Sequence, residues 1–286
     1  MTTQKTGIAG RLRIPATDLR DLRPNDSNGH KNGFETRTKA RLEDAYRKRL
    51  LERVSKDPAD PRKTGAAEIV QKLKPPVRAG DLPDTFASMR ATRHFRRVFC
   101  GSLIDSLQTQ TPGSIFLYTV VSADWVVPGP DLAQFDPKKL LELFRAQLNR
   151  RGLATRSGWL VVSVHGDYDE DTDLFQPHLH ILAVGDAHLT IEAVRECASY
   201  KSGDVAKPIL RLIPVSLEWS VPYYVMQPFW PRKARSEDGR RIPGRFRIPP
   251  DRLVDWLLWI DQQSFADLTW MYRCKVVGGK IVAGQK

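Results

Sequence analysis

An α+β fold, with an antiparallel sheet carrying helices on one face and a basic helical extension before it, is what this sequence predicts. Three observations point there. From Ser114 onward the segments follow a β-α-β-β-α-β order, which suits an antiparallel sheet with helices laid against it. Hydrophobic residues make up 41% of 286 positions, and all seven Trp, from Trp125 to Trp270, lie toward the C-terminal side, so a sizeable core is expected there. Residues 1–97 hold 23 basic and 12 acidic side chains, a net of +11, whereas the rest holds 22 and 21, a net of +1. The chain therefore divides into a basic, partly disordered and partly helical extension over 1–97 and a folded domain over 98–286.

Residues 1–35, rich in Gly, Asp, Asn, Arg and Thr without periodicity, are expected to hold no stable structure alone. From Thr38, Leu42, Ala45, Tyr46, Leu50 and Val54 fall on one helical face and Arg41, Arg47, Lys48, Arg49 and Arg53 on the other. Asp57-Pro58 and Asp60-Pro61 stop that helix. Residues 64–74 suit a short helix and Lys74-Pro75-Pro76 a linker. A second basic segment, Thr85 to Leu107, carries Arg90, Arg93, His94, Arg96 and Arg97, with Phe86, Met89, Phe95 and Phe99 placed to pack on the main domain.

Ile115 to Val121 reads as a buried strand. Asp136-Pro137 caps a helix running to Arg151, with Leu140, Leu143, Phe144 and Leu148 on one stripe. Gly158 to Val164 is a second strand, and the acidic loop Asp167–Asp173 turns into a third, His178 to Val184. Leu189 to Ser199 is expected to be helical. Lys207 to Leu217 is a fourth strand with Pro214 at an edge or bulge. Val221–Gln227 is a short helix closed by Pro228, and residues 231–249 a basic loop rich in Gly and Pro. Over 250–286 an amphipathic helix, Asp251 to Gln263, faces Leu253, Trp256, Leu257 and Ile260 inward, and Tyr272 to Val282 forms a hairpin turning at Gly278-Gly279.

Composition narrows the classes. Three widely spaced cysteines (Cys100, Cys197, Cys274) give neither a disulfide framework nor a zinc knuckle and fit a reducing compartment. No apolar run approaches a membrane span and no secretory leader is evident, so a cytoplasmic protein without a membrane partner is expected. The basic N-terminal third has the footprint of a segment that touches polyanions, against the plainer reading of a solvated tail.

The most informative stretch is Phe175-Gln-Pro-His178-Leu-His180-Ile-Leu182. Strand residues alternate faces, so His178 and His180 share one side while Leu179 and Ile181 enter the core on the other. Two imidazoles so placed can share one metal ion. The preceding strand ends at His165, which pairing would bring close, and Asp167 is a further candidate ligand. A mixed His/carboxylate set suits Mn²⁺ or Mg²⁺ acting on phosphates, with zinc the weaker expectation. The plainer alternative is a set of ordinary strand histidines.

A strand, a helix, a strand pair ending in His-hydrophobic-His, and a tyrosine in a short helix after another strand resembles the HUH superfamily of rolling-circle initiators, relaxases and transposases over residues 114–230. Ile115–Trp125 resembles its first motif, Pro177–Leu182 its second, and Val221–Gln227, with Tyr223 and Tyr224, its third. The resemblance implies an HUH/RRM-like sheet. It also implies metal-dependent nicking and joining of single-stranded DNA through a phosphotyrosine, starting replication or transposition of a mobile element such as a plasmid. Tyr224 fits the nucleophile position better. Tyr223, about 100° further round a helix, is placed to pack or to stack on a base. Gln227 stands where the family usually has lysine, so Arg232 or Lys233 would have to supply charge, or the chain is a catalytically impaired DNA-binding relative. Arg232, Lys233, Arg235, Arg240, Arg241 and Arg245, with Trp230 beside them, suit a single-strand contact surface, and the N-terminal helices a grip on duplex DNA. No helicase-type phosphate loop occurs, so unwinding would need a host helicase. From another class, an α+β protein with a structural zinc and RNA- or protein-binding extensions also fits the composition.

Overall fold

A computed structural model of the protein describes residues 36–74, 82–111, 113–197, 209–212, 220–227, 229–235 and 241–284. Helices α1 (Arg37–Lys56), α2 (Lys63–Lys72) and α3 (Met89–Gln108) come first. Strand β1 (Ile115–Val121) and the two-residue β2 (Val127–Pro128) lead to helix α4 (Pro137–Arg150), after which β3 (Trp159–Asp169) and β4 (Leu174–Val184) form a long hairpin. Next come α5 (His188–Val194), β5 (Ile209–Leu212), α6 (Ser220–Val225), β6 (Arg232–Arg235) and β7 (Arg241–Phe246). The last described elements are α7 (Pro250–Asp261), α8 (Phe265–Leu268), β8 (Thr269–Tyr272), β9 (Cys274–Val277) and β10 (Lys280–Ala283).

The main sheet runs β5-β1-β4-β3-β6-β7, with β2 paired to β4 and β8 to β3. All of these pairs are antiparallel except β3 with β6. The class is therefore α+β with a mostly antiparallel sheet, and β1 has its expected bounds. The β3–β4 hairpin is longer than its sequence suggests. Tyr168 and Phe175 are buried cross-strand partners, so the ladder continues past Asp167 and only residues 170–173 remain as the turn.

Strict alternation gives the sheet two unlike faces. Tyr118, Val162 and Ile181 are in register on one face and fully buried. Helix α5 covers part of that side, where the Tyr118 hydroxyl donates to Glu192 at 2.9 Å and Phe116 stacks on His188. Thr119, His180 and Ser163 are in register on the other face, with Val121, His178 and His165 one pair further along. Helix α6 lies over this second face and α3 packs on α6, through a Cys100 thiol contact with the Pro222 carbonyl among others. Helices thus cover both faces, not the single face expected. The reason is that α3, although basic, buries Phe95, Phe99, Leu103 and Leu107 in the same core cluster as the sheet. It runs continuously through position 97, and Leu51 and Ile69 of α1 and α2 join that cluster too.

Two helical faces differ from their hydrophobic reading. In α1 the inward residues are Ala40, Asp44, Arg47 and Leu51, while Leu42 and Ala45 are exposed. Polar groups displace apolar ones because they are satisfied inside. Asp44 accepts from the Ser88 hydroxyl at 2.8 Å and the Met89 N–H at 2.6 Å, holding the start of α3, and Arg47 donates to the Ala87 carbonyl at 2.8 Å. In α4, Leu143 is exposed and Leu141 takes the inward position. The expected loop over 231–249 contains the β6–β7 hairpin, whose first strand extends the end of β3 in parallel. The C-terminal hairpin does turn at Gly278-Gly279, both at positive φ, as a tight β-turn requires. Expectations for residues 1–35, the Pro75-Pro76 linker, residues 198–199, Pro214, Pro228 and Arg240 lie outside the described residues. Among the described residues no helix is long and apolar enough to cross a membrane.

Candidate metal centre and its tyrosine

The hairpin register places His165 directly opposite His178, and His180 follows two residues along on the same face. All three are buried, and one nitrogen from each lies within 4.8 Å of the others. The His165 Nδ1 to His178 Nε2 distance is 3.1 Å, and His178 Nε2 lies 3.2 Å from His180 Nε2. The second nitrogens explain the orientation. His165 Nε2 donates to the Phe229 carbonyl at 3.0 Å, and His178 Nδ1 to the Gln176 carbonyl at 3.1 Å.

Those backbone bonds fix the tautomers. With a proton on His165 Nε2 and on His178 Nδ1, both neutral rings aim a lone pair into the cluster. Two lone pairs facing at 3.1 Å repel unless a cation lies among them. Second nitrogens tied to carbonyls are the arrangement that fixes metal-ligating imidazoles. His180 differs: its Nε2 faces the cluster, and its Nδ1 is buried without a carbonyl partner of the kind that holds the other two rings. Burial, and then the proximity of His165 and His178, push the His180 pKa well below the ordinary 6.5, so this ring is a neutral donor at neutral pH. The triad can hold a metal ion.

Asp167 lies two residues past His165 on β3 but does not join this group. Its carboxylate pairs with Lys233 at 3.1 Å, because the β3–β6 pairing brings that lysine alongside. Its charge still reaches His180, where it opposes the fall in pKa.

Tyr224 meets the triad from α6. Its ring stacks on His180 with centroids 4.4 Å apart, and its hydroxyl lies 2.6 Å from Thr119 Oγ1. Tyr223 points elsewhere, with the Arg96 guanidinium 4.7 Å above its ring. Gln227 lines a small cavity with His165, Ser163, Met226 and Arg96. Arg232 pairs with Glu170 at 2.6 Å and lies over Phe246. For Arg235, Arg241 and Arg245 only the strand backbone is described.

Trp230, expected to stack on bases, is instead a core residue at 4% exposure. It packs against Trp259, Phe175 and the edge of Phe135. Gly166 makes room for it: a Cβ there would sit 2.5 Å from the indole. Thus the ring supports the strand that bears His165 and is not a surface stacking platform.

Several contributors to the site carry little sequence signal. Thr119 and Ser163 flank His180 in register, and each is a polar residue at a period-two position in an otherwise apolar strand. That interruption is the trace they leave. Arg96 is 1% exposed and its Nε donates to the Met226 carbonyl, which ties α3 to the end of the tyrosine helix. In sequence it looks like one more surface cation in a basic run. Scans against protein-family models, curated proteins and solved structures each found no match for this chain.

Proposed function

We propose that this protein binds a divalent transition-metal ion at His165, His178 and His180 and nicks and rejoins single-stranded DNA through Tyr224, in an HUH/RRM-like domain. The observation that carries the reading is the stack of the Tyr224 ring on His180, one of three convergent imidazole donors, with the tyrosine hydroxyl held by Thr119. An all-imidazole set departs from the His/carboxylate mixture expected. It suits Mg²⁺ least, is compatible with Mn²⁺, and raises the standing of Zn²⁺. A cation held there would supply Lewis-acid withdrawal of charge from a phosphodiester.

The residues divide the remaining work. Thr119 holds the Tyr224 hydroxyl, and His180 holds its ring, so the oxygen is presented in a fixed position. The phenol gives up its proton, its oxygen bonds to phosphorus, and the P–O3′ bond breaks, leaving a 5′-phosphotyrosine and a 3′-hydroxyl that takes up a proton. The reverse step reseals the strand without an external energy source. Lys233 is paired with Asp167 and Arg232 with Glu170, whereas Arg96 shares a cavity with Gln227 and His165 and is the cation placed to offset Gln227. On α1 the exposed Arg37, Lys39, Arg41, Arg49 and Arg53 provide charge for duplex phosphates.

Incubating the protein with a single-stranded DNA pool and Mn²⁺ or Zn²⁺ tests this. A covalent adduct on denaturing gels, present for the wild type and Tyr223→Phe and lost in Tyr224→Phe, is the expected result. Adduct loss in Tyr223→Phe alone would reassign the nucleophile. Retained DNA binding with no adduct would leave a catalytically impaired DNA-binding protein, for which Gln227 is the natural cause. Firmly held zinc without nucleic-acid binding would favour the structural-zinc reading.

A further inference from the structure

Tyr223 and Tyr224 are neighbours on α6, yet only Tyr224 stacks on the triad. A helix of six residues does not fix its own position, because isolated helices shorter than ~12–15 residues are marginal in water. Contacts from outside it therefore decide which tyrosine faces the sheet. A slip of one residue along the axis turns a helix by about 100°, and would carry Tyr223 toward the place that Tyr224 holds.

Helix α3 meets α6 at two points that set this register. The Cys100 thiol contacts the Pro222 carbonyl at 3.5 Å, and the Arg96 Nε–H donates to the Met226 carbonyl. Arg96 and Cys100 stand one turn apart on α3, and Pro222 and Met226 are joined by a helical turn of α6, so the two contacts are rungs between antiparallel helices. The rungs are unequal. A thiol is a weak donor, whereas a hydrogen bond from a charged group is about twice as strong as a neutral one. The Met226 carbonyl also lies beyond the last bond within α6, where a cation complements the helix dipole. The same guanidinium lies 4.7 Å over the Tyr223 ring, and Arg96 is buried throughout.

We propose that Arg96 is a positioning residue that selects between the two tyrosines. Its Nε–H bond to the Met226 carbonyl fixes the register of α6, which keeps Tyr223 under the guanidinium and sets Tyr224 on His180. This placement is separate from the charge that Arg96 brings to the cavity shared with Gln227. Its consequence for chemistry rests on the nicking reading, in which Tyr224 is the nucleophile. A misplaced helix would then both slow the reaction and let the wrong tyrosine compete.

Two substitutions in the full chain separate placement from charge. Arg96→Gln keeps an N–H donor at the position of Nε and removes the charge, whereas Arg96→Met keeps the length and removes both. In the metal-free protein the NMR resonances of the His180 ring are displaced by the stacked Tyr224 ring, and they report placement without metal or cleavage. That displacement should persist in Arg96→Gln and be lost in Arg96→Met. Zn²⁺ affinity, set by the three histidines of the sheet, should match wild type in both and shows that the sheet is folded. Arg96→Leu, which also lacks the donor, replaces Arg96→Met if the latter does not hold zinc. With single-stranded DNA and Mn²⁺ or Zn²⁺, peptide mapping should find the adduct on Tyr224 alone in wild type and Arg96→Gln. In Arg96→Met it should form roughly 10–100-fold more slowly and occur on Tyr223 as well. A displacement retained in Arg96→Met would overturn the proposal. So would its equal loss in Arg96→Gln, because an N–H on the Met226 carbonyl would then not be what holds the helix. If wild type forms no adduct while Arg96→Met alone loses the displacement, the nicking reading falls and the positioning role stands. An adduct confined to Tyr224 in Arg96→Met, with the His180 resonances unmoved, would do the reverse.

Discussion

The two faces of one sheet are built from alternate residues of the same strands, yet they pose opposite physical problems. On one side, Tyr118, Val162 and Ile181 line up across β1, β3 and β4. Burial there removes apolar surface from water and needs no further justification. On the other side the same three strands align Thr119, Ser163 and His180, with His165 and His178 beyond, and these are also covered by helices. Burying imidazoles whose lone pairs converge costs stability unless something joins them. The first face makes the fold, and the second draws on that stability to hold three convergent imidazoles in a buried cluster.

The largest expected effects fall on the apolar face and on metal binding. Leu179→Ala, between the two histidines but pointing the other way and fully buried, should cost about 2–5 kcal/mol in urea unfolding. A loss under ~1 kcal/mol would mean that this face is not the principal core. On the histidine face, saturating Mn²⁺ or Zn²⁺ should stabilise the wild type by about 2.7 kcal/mol at a hundredfold excess over Kd. His178→Ala, which removes the central donor, should abolish that shift in thermal melts. A shift that survives the substitution would place the metal elsewhere. Smaller again is the metal-free effect of His180→Leu. Replacing a buried imidazole that has an orphaned nitrogen by an apolar side chain should leave stability within ~1 kcal/mol of wild type or raise it. A loss comparable to Leu179→Ala would show that the imidazole is structurally satisfied and weaken the metal reading.

This contrast also explains what the sequence made legible. Period-two alternation identifies which histidines share a face, and pairing through the acidic turn brings in His165. Tyr224 is singled out by the HUH-like resemblance, and its ring is found stacked on His180. What escaped were residues whose burial inverts the usual rule. Arg47 and Asp44 point inward because each finds backbone or hydroxyl partners forty or more positions away, which no local pattern encodes. Trp230 reads as a surface aromatic among arginines, and only the missing Cβ at Gly166 reveals the slot it fills. Asp167 was plausible as a ligand until β6, hidden in a Gly- and Pro-containing basic stretch, delivered Lys233 to it. The phenylalanines of the basic helix α3 are legible as residues that pack on the main domain, and Phe95 and Phe99 do join its core; what the sequence leaves out is that this helix roofs the tyrosine helix.

The smallest expected effect concerns how the N-terminal helix is fastened over the histidine side. Glu43 bridges Arg47 at 3.0 Å and Arg247 at 2.6 Å, linking α1 to the residue after β7. Burial raises its pKa, but the two arginines outweigh that and hold it below the ordinary 4.5. The folded state thus favours the ionised form. Its contribution is complete above pH 4.5 and is lost as pH falls through the lowered folded value. Glu43→Gln should cost about 0.2–1 kcal/mol at pH 6, because Arg247 remains half-exposed and solvent weakens the pair. As pH falls below 4.5 and on through the lowered folded value, the urea midpoints of wild type and Glu43→Gln should draw together. If the gap stays unchanged as the pH is lowered from 6 to the onset of acid unfolding, the carboxylate charge is not what fastens this helix. The apolar face should show no such convergence, since Leu179→Ala removes no titrating group and its deficit should be the same throughout that range.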